Sequence, residues 1–76
     1  MKVTREQVLK LFLDAGVEKE IVDGLKPGIL LTKQGLDSVD YPSILVTIEE
    51  SLGITIDETE ACELKTLEDF ETRLSK

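Results

Sequence analysis

Apolar residues recur three and four positions apart in three separate stretches of the chain, which makes amphipathic helices the units it has to pack. In the first stretch Val8, Leu11, Phe12 and Ala15 share one stripe, while Lys10 and Asp14 face water. Thr4 and Gln7 have capping-box spacing, and Val3 with Val8 has the spacing of a hydrophobic staple, so this helix is expected to begin at Thr4 and end near Gly16. The second runs from Ser38 or Tyr41 to Leu52, with Ile44, Leu45, Ile48 and Leu52 on its apolar stripe, Glu49 and Glu50 on the far face, and Gly53 just past its end. In the third, Thr66 is the cap and Leu67, Phe70 and Leu74 form one ridge. Asp69 falls at N3, where negative charge suits the helix dipole.

Between the first two stripes the periodicity weakens. Gly24, Pro27 and Gly28 break residues 17–35 into a long loop, in which Glu18 to Asp23 can make a helical turn and Ile29, Leu30 and Leu31 are expected to anchor on the core. Ile54 and Ile56 have the spacing of a short extended link, and Asp57 to Glu63 reads as a short acidic helical segment carrying Ala61 inward. The expectation is an all-α domain over 1–76: a four-helix bundle of three main helices and one short one, with the long loop between the first two. A chain of this length builds a single core and has only a few kcal/mol of net stability.

Several functions are excluded. No apolar run approaches the roughly 20 residues that span a bilayer, so membrane insertion is not expected, and the opening Met1-Lys2-Val3-Thr4-Arg5-Glu6 lacks an apolar signal-like stretch, which points to the cytoplasm. The single Cys62 cannot form an internal disulfide, and with no histidine beside it neither a structural zinc site nor a histidine-based catalytic centre is expected. No serine sits in a G-x-S-x-G elbow, and the acidic clusters lack the alternating ligands and central glycine of a calcium loop, so neither an enzyme nor a specific metal site is expected. The net charge of -7 is concentrated: residues 34–64 hold Asp37, Asp40, Glu49, Glu50, Asp57, Glu58, Glu60 and Glu63, and no lysine or arginine. A field of one sign steers basic protein partners and repels nucleic acid.

One hexapeptide remains, Gly35-Leu36-Asp37-Ser38-Val39-Asp40, which places a serine at the start of a helix after a long loop. Read alone, Ser38 is a good N-cap. The wider pattern resembles the acyl carrier proteins: the hexapeptide is similar to their Asp-Ser-Leu attachment motif, with valine for leucine. The likeness continues in register through Ile44, Leu45, Ile48, Glu49, Glu50, Leu52, Ile54, Ile56, the acidic segment and Thr66-Leu67, from about Leu30 to Leu74. The first helix matches only in length and amphipathicity.

The resemblance implies a non-enzymatic, monomeric carrier. Its Ser38 would receive a 4'-phosphopantetheine arm from coenzyme A through a phosphopantetheinyl transferase. The arm would then hold acyl groups as thioesters for the loading, condensing and processing enzymes of fatty-acid or related biosynthesis. By the same resemblance Asp37, Val39, Asp40, Val46, Glu49, Glu50 and Asp57 form the docking surface for basic partners. Ile44, Ile48, Leu52, Ile56, Ala61, Leu64 and Phe70 line the interior among which an acyl chain can slip. A carrier of aminoacyl or other small groups shares the same start, and an acidic helical binding module with Ser38 as a mere cap is the reading from another class. Ser43 and Ser51 lie within the helix and Ser75 in the tail, so none matches the setting of Ser38. Two residues depart from the family pattern, Pro42 and Ser43, the latter where fatty-acid carriers often have an acid. Proline costs about 3 kcal/mol inside a helix but little in its first turn, so a late helix start or an irregular first turn is expected here.

Overall fold

The Thr4 hydroxyl accepts the Gln7 N–H at 3.2 Å and the Gln7 side chain accepts the Thr4 N–H at 2.9 Å, so the first helix is launched by the capping box its spacing predicts. The computed structural model describes residues 3–75. Its helices are α1 (Arg5–Asp14), α2 (Lys19–Asp23), α3 (Tyr41–Leu52), α4 (Glu58–Ala61) and α5 (Leu67–Leu74), with one-turn 3-10 segments at Leu31–Gln34 and Ser38–Asp40. The result is a compact all-α domain of three main helices and shorter ones, measuring 27 × 23 × 21 Å, with no strand among the described residues. None of its helices is long and apolar enough to cross a membrane.

α1 packs against α2, α3 and α5. Phe12 of α1 and Phe70 of α5 meet edge to face with ring centroids 5.2 Å apart, and Tyr41 of α3 approaches Phe70 at 6.0 Å. Val8, Phe12, Ile44, Ile48, Leu67 and Phe70 have no exposed surface, so the three stripes read from the sequence converge on one core. Thr66 and Asp69 form a second reciprocal capping box at the start of α5. At its other end Ser75 accepts the Val3 N–H at 3.2 Å, which ties the two ends of the described chain together.

The loop between α1 and α3 holds the helical turn expected over Glu18 to Asp23, as α2, but its anchoring differs from expectation: of Ile29, Leu30 and Leu31 only Leu31 is buried, in a 3-10 turn, while Ile29 and Leu30 are exposed. Backbone hydrogen bonds anchor the loop instead. The Leu31 N–H donates to the Lys65 carbonyl at 2.8 Å and the Glu68 N–H to the Pro27 carbonyl at 3.2 Å. The Gln34 side-chain amide accepts the Lys26 N–H at 2.7 Å and donates to the carbonyls of Lys26 and Ile29, satisfying loop groups that have no helical partner. With the backbone held in this way, Ile29 and Leu30 need not be buried. Leu52, expected on the inner stripe, is only half-buried at the end of α3.

Ile48 tests the packing of α3. Ile48→Ala is expected to destabilise the domain by about 2 to 5 kcal/mol in a denaturant titration, because a fully buried side chain would leave a cavity. A loss of less than about 1 kcal/mol, the size of a surface effect, would contradict this assignment of the core.

Candidate functional site

Pro42 decides where α3 begins. Asp40 is the N-cap, Tyr41 is N1 and Pro42 is N2, a position whose N–H has no intrahelical partner to lose. The preceding Ser38–Asp40 segment therefore makes a separate 3-10 turn, which is the late, irregular start that Pro42 predicts. Gly35 delivers the chain to this turn. Its φ of 103° is left-handed, and an added Cβ would come within 3.1 Å of the Ile21 side chain, so both conformation and space favour glycine. Leu36 is then buried, and Asp37, Ser38 and Val39 emerge into solvent.

The capping role belongs to Asp37 and not to Ser38. The Asp37 carboxylate accepts the Ser38 N–H at 2.8 Å, the Asp40 carboxylate accepts the Asp37 N–H at 2.9 Å, and the Asp40 N–H reaches the Asp37 carbonyl at 2.9 Å. Two carboxylates thus satisfy the turn. The Ser38 hydroxyl is exposed and has no hydrogen-bond partner among the described residues. Reading the serine as a cap fails because the aspartate one position earlier offers a stronger, charged acceptor to the same turn.

Beside Ser38 lies an open cleft of about 830 Å³. Leu45 and Val46 of α3 form one wall, Ile56, Ala61 and Leu64 another, and Leu30 closes it from the loop. Ser38, Glu49, Glu58 and Lys65 supply polar edges, and the exposed Cys62 also lines it.

Of the expected interior residues, Ile56, Ala61 and Leu64 line this cleft. Ile44, Ile48 and Phe70 do not, because they are fully packed in the core, and Leu52 lies outside the lining as well. Tyr41, Leu45 and Leu30 take part without having been expected there. The spacing of Tyr41, Leu45 and Glu49, four apart at the edge of the apolar stripe, is the signal for the α3 wall. Leu30 had no local signal.

Of the residues expected to form a docking surface, all but Asp40 are exposed. Val39 is 74% exposed and Val46 52%, and around them Asp37, Glu49 and Glu50 are exposed. Val46 and Glu49 also line the cleft with Ser38, whereas Glu50 does not. Asp40 is half-buried by its bond to the turn. Asp57 is exposed and caps α4, its carboxylate accepting the Glu60 N–H at 2.7 Å. Glu60 is paired with Arg73.

Comparison with family models, with curated proteins and with solved structures found no match for this chain.

Tyr41 joins the cleft to the core, its hydroxyl donating to the Leu64 carbonyl at 2.7 Å. Burial, and then the negative charge of Asp69, raise the phenol above its ordinary value of about 10. A group raised in the folded state contributes stability that is complete below its unfolded value and is lost as pH rises through the folded one. Unfolding by urea across a pH series checks this. The wild type is expected to lose stability above pH about 10 more steeply than Tyr41→Phe, which at neutral pH is weaker by about 0.5 to 1.5 kcal/mol for the lost hydrogen bond. Parallel pH profiles for the two proteins would contradict it.

Proposed function

We propose that this chain is a carrier protein of the acyl carrier type, in which Ser38 holds a 4'-phosphopantetheine arm and the arm carries acyl groups as thioesters between enzymes of fatty-acid or related biosynthesis. The observation that carries the reading is the position of the Ser38 hydroxyl: exposed, free of hydrogen bonds among the described residues, and on the edge of an apolar cleft. The order of a loop, a serine-bearing turn leading into a main helix, a short acidic helix and a capped last helix agrees with the four-helix carrier bundle that the sequence resembles.

In this reading the domain is acted upon and has no catalytic residue. A phosphopantetheinyl transferase brings coenzyme A; the Ser38 oxygen forms a bond to phosphorus, the pyrophosphate link of coenzyme A breaks, the nucleotide half departs, and the transferase removes the serine proton. A hydroxyl that caps no helix is free for this step, and its exposure lets a second protein close over it. The nearby start of α3 favours the resulting phosphodiester by about 0.3 to 1 kcal/mol, partly offset by Asp37 and Asp40. Those carboxylates, with Glu49, Glu50 and Asp57, supply long-range attraction for basic partner surfaces, while Val39 and Val46 give the short-range apolar contact that fixes register. The thioester cargo lies in the cleft, along Leu45, Val46, Ile56, Ala61 and Leu64.

Incubation with coenzyme A and a broad-specificity phosphopantetheinyl transferase, followed by intact-mass measurement, tests the reading. The wild type is expected to gain one arm and Ser38→Ala none. Because Asp37 does the capping, the alanine variant is expected to stay folded and within about 0.5 kcal/mol of wild type, as a plain surface substitution is. A wild type that gains no mass, or an alanine variant that still does, rules the carrier reading out.

A further inference from the structure

Between the cleft beside Ser38 and the core stands an aromatic ring. Tyr41 lines the cleft on one side, and on the other its ring lies 6.0 Å from that of Phe70, which has no exposed surface and does not line the cleft. The Tyr41 hydroxyl is bonded at 2.7 Å to the carbonyl of Leu64, a residue of the facing wall, so the side chain is fastened to both sides. Ile44, Ile48 and Phe70, the side chains that an acyl chain would have to part to go deeper, are packed with no exposed surface.

We propose that Tyr41 is the specificity-determining wall of the cleft, confining an apolar chain to the outer space and so setting the longest chain that the domain can shield from water. The inference rests on the cleft being the place where cargo lies. Each methylene added within the cleft removes apolar surface from water. A chain that reaches the ring has two courses. It displaces Tyr41, which strips the Leu64 carbonyl of its partner and opens the Phe70 contact, or it leaves its tip in solvent. The second is the easier, so gain with length stops at the ring.

Cys62 offers a way to test this without phosphopantetheine or any enzyme, since it is the sole cysteine, is exposed and lines the same cleft. An alkyl methanethiosulfonate passes its alkylthio group to the Cys62 thiolate, forming a disulfide and releasing methanesulfinate. A series of straight alkyl groups can therefore be hung in the cleft of the full chain. The melting temperature of the wild type is expected to rise with each added methylene and then level off. In Tyr41→Leu the levelling moves to a longer chain, and in Tyr41→Phe, which keeps the ring, it stays where it was. Tyr41 is also the sole tyrosine and there is no tryptophan, so the ultraviolet titration of its phenol reports arrival of the chain in the wild type itself, whether or not the leucine variant folds. Its midpoint is expected to rise at the length where levelling begins and not before. Levelling at the same length in wild type and leucine variant, levelling with no change in the phenol titration, or no rise with length at all would each overturn the proposal. The carrier reading fails by a different result, the absence of mass gain at Ser38, so the two failures can be told apart.

Discussion

Phe70 is where the three main helices meet. It projects from α5, meets Phe12 of α1 edge to face, and supports the ring of Tyr41 from the first turn of α3. An edge-to-face pair of this kind contributes about 0.5 to 1.5 kcal/mol beyond the area it buries. In a domain of this size that is a sizeable share of the net stability. The cleft depends on it too, because Phe70 backs the Tyr41 ring that lines it. Core and candidate site therefore share one side chain, and a change at Tyr41 is felt by both.

A second constraint is the missing N–H of Pro42. It fixes the start of α3 at Tyr41 and leaves Ser38, Val39 and Asp40 in a tighter turn of their own. Had the α-helix begun at Ser38, the serine hydroxyl would have been drawn toward capping and Pro42 would have fallen at N4, where its N–H is needed. As built, two aspartate carboxylates satisfy the turn and the hydroxyl is spared. A residue that departs from the pattern the sequence resembles thus leaves the Ser38 hydroxyl open.

Local features were legible in the sequence because they depend on residues a few positions apart. The capping box at Thr4, the cap at Thr66, the stripe of Ile44 and Ile48 and the late start at Pro42 are all of this kind. What escaped depends on contacts across the chain. Nothing near Gln34 announces that its amide will hold Lys26 and Ile29, and nothing near Leu31 announces its bond to Lys65. The cleft was half-read for a related reason: an apolar residue on a helical stripe declares that it leaves water, not whether it meets packed neighbours or an open space. Ile56, Ala61 and Leu64 meet the space, while Ile44, Ile48 and Phe70 meet the core. The identity of the capping residue at Asp37-Ser38 turned on a competition between adjacent acceptors that spacing alone does not rank.

One oxygen atom, the hydroxyl of Ser38, decides the proposed function. Tandem mass spectrometry of peptides from the chain, recovered from the cells that make it, reads that atom most directly. The expected result is a phosphopantetheine group on the peptide containing Ser38, localised to that serine, with Ser43 and Ser51 unmodified. A Ser38 peptide that is bare in every preparation, or an arm found on another serine, would contradict the assignment.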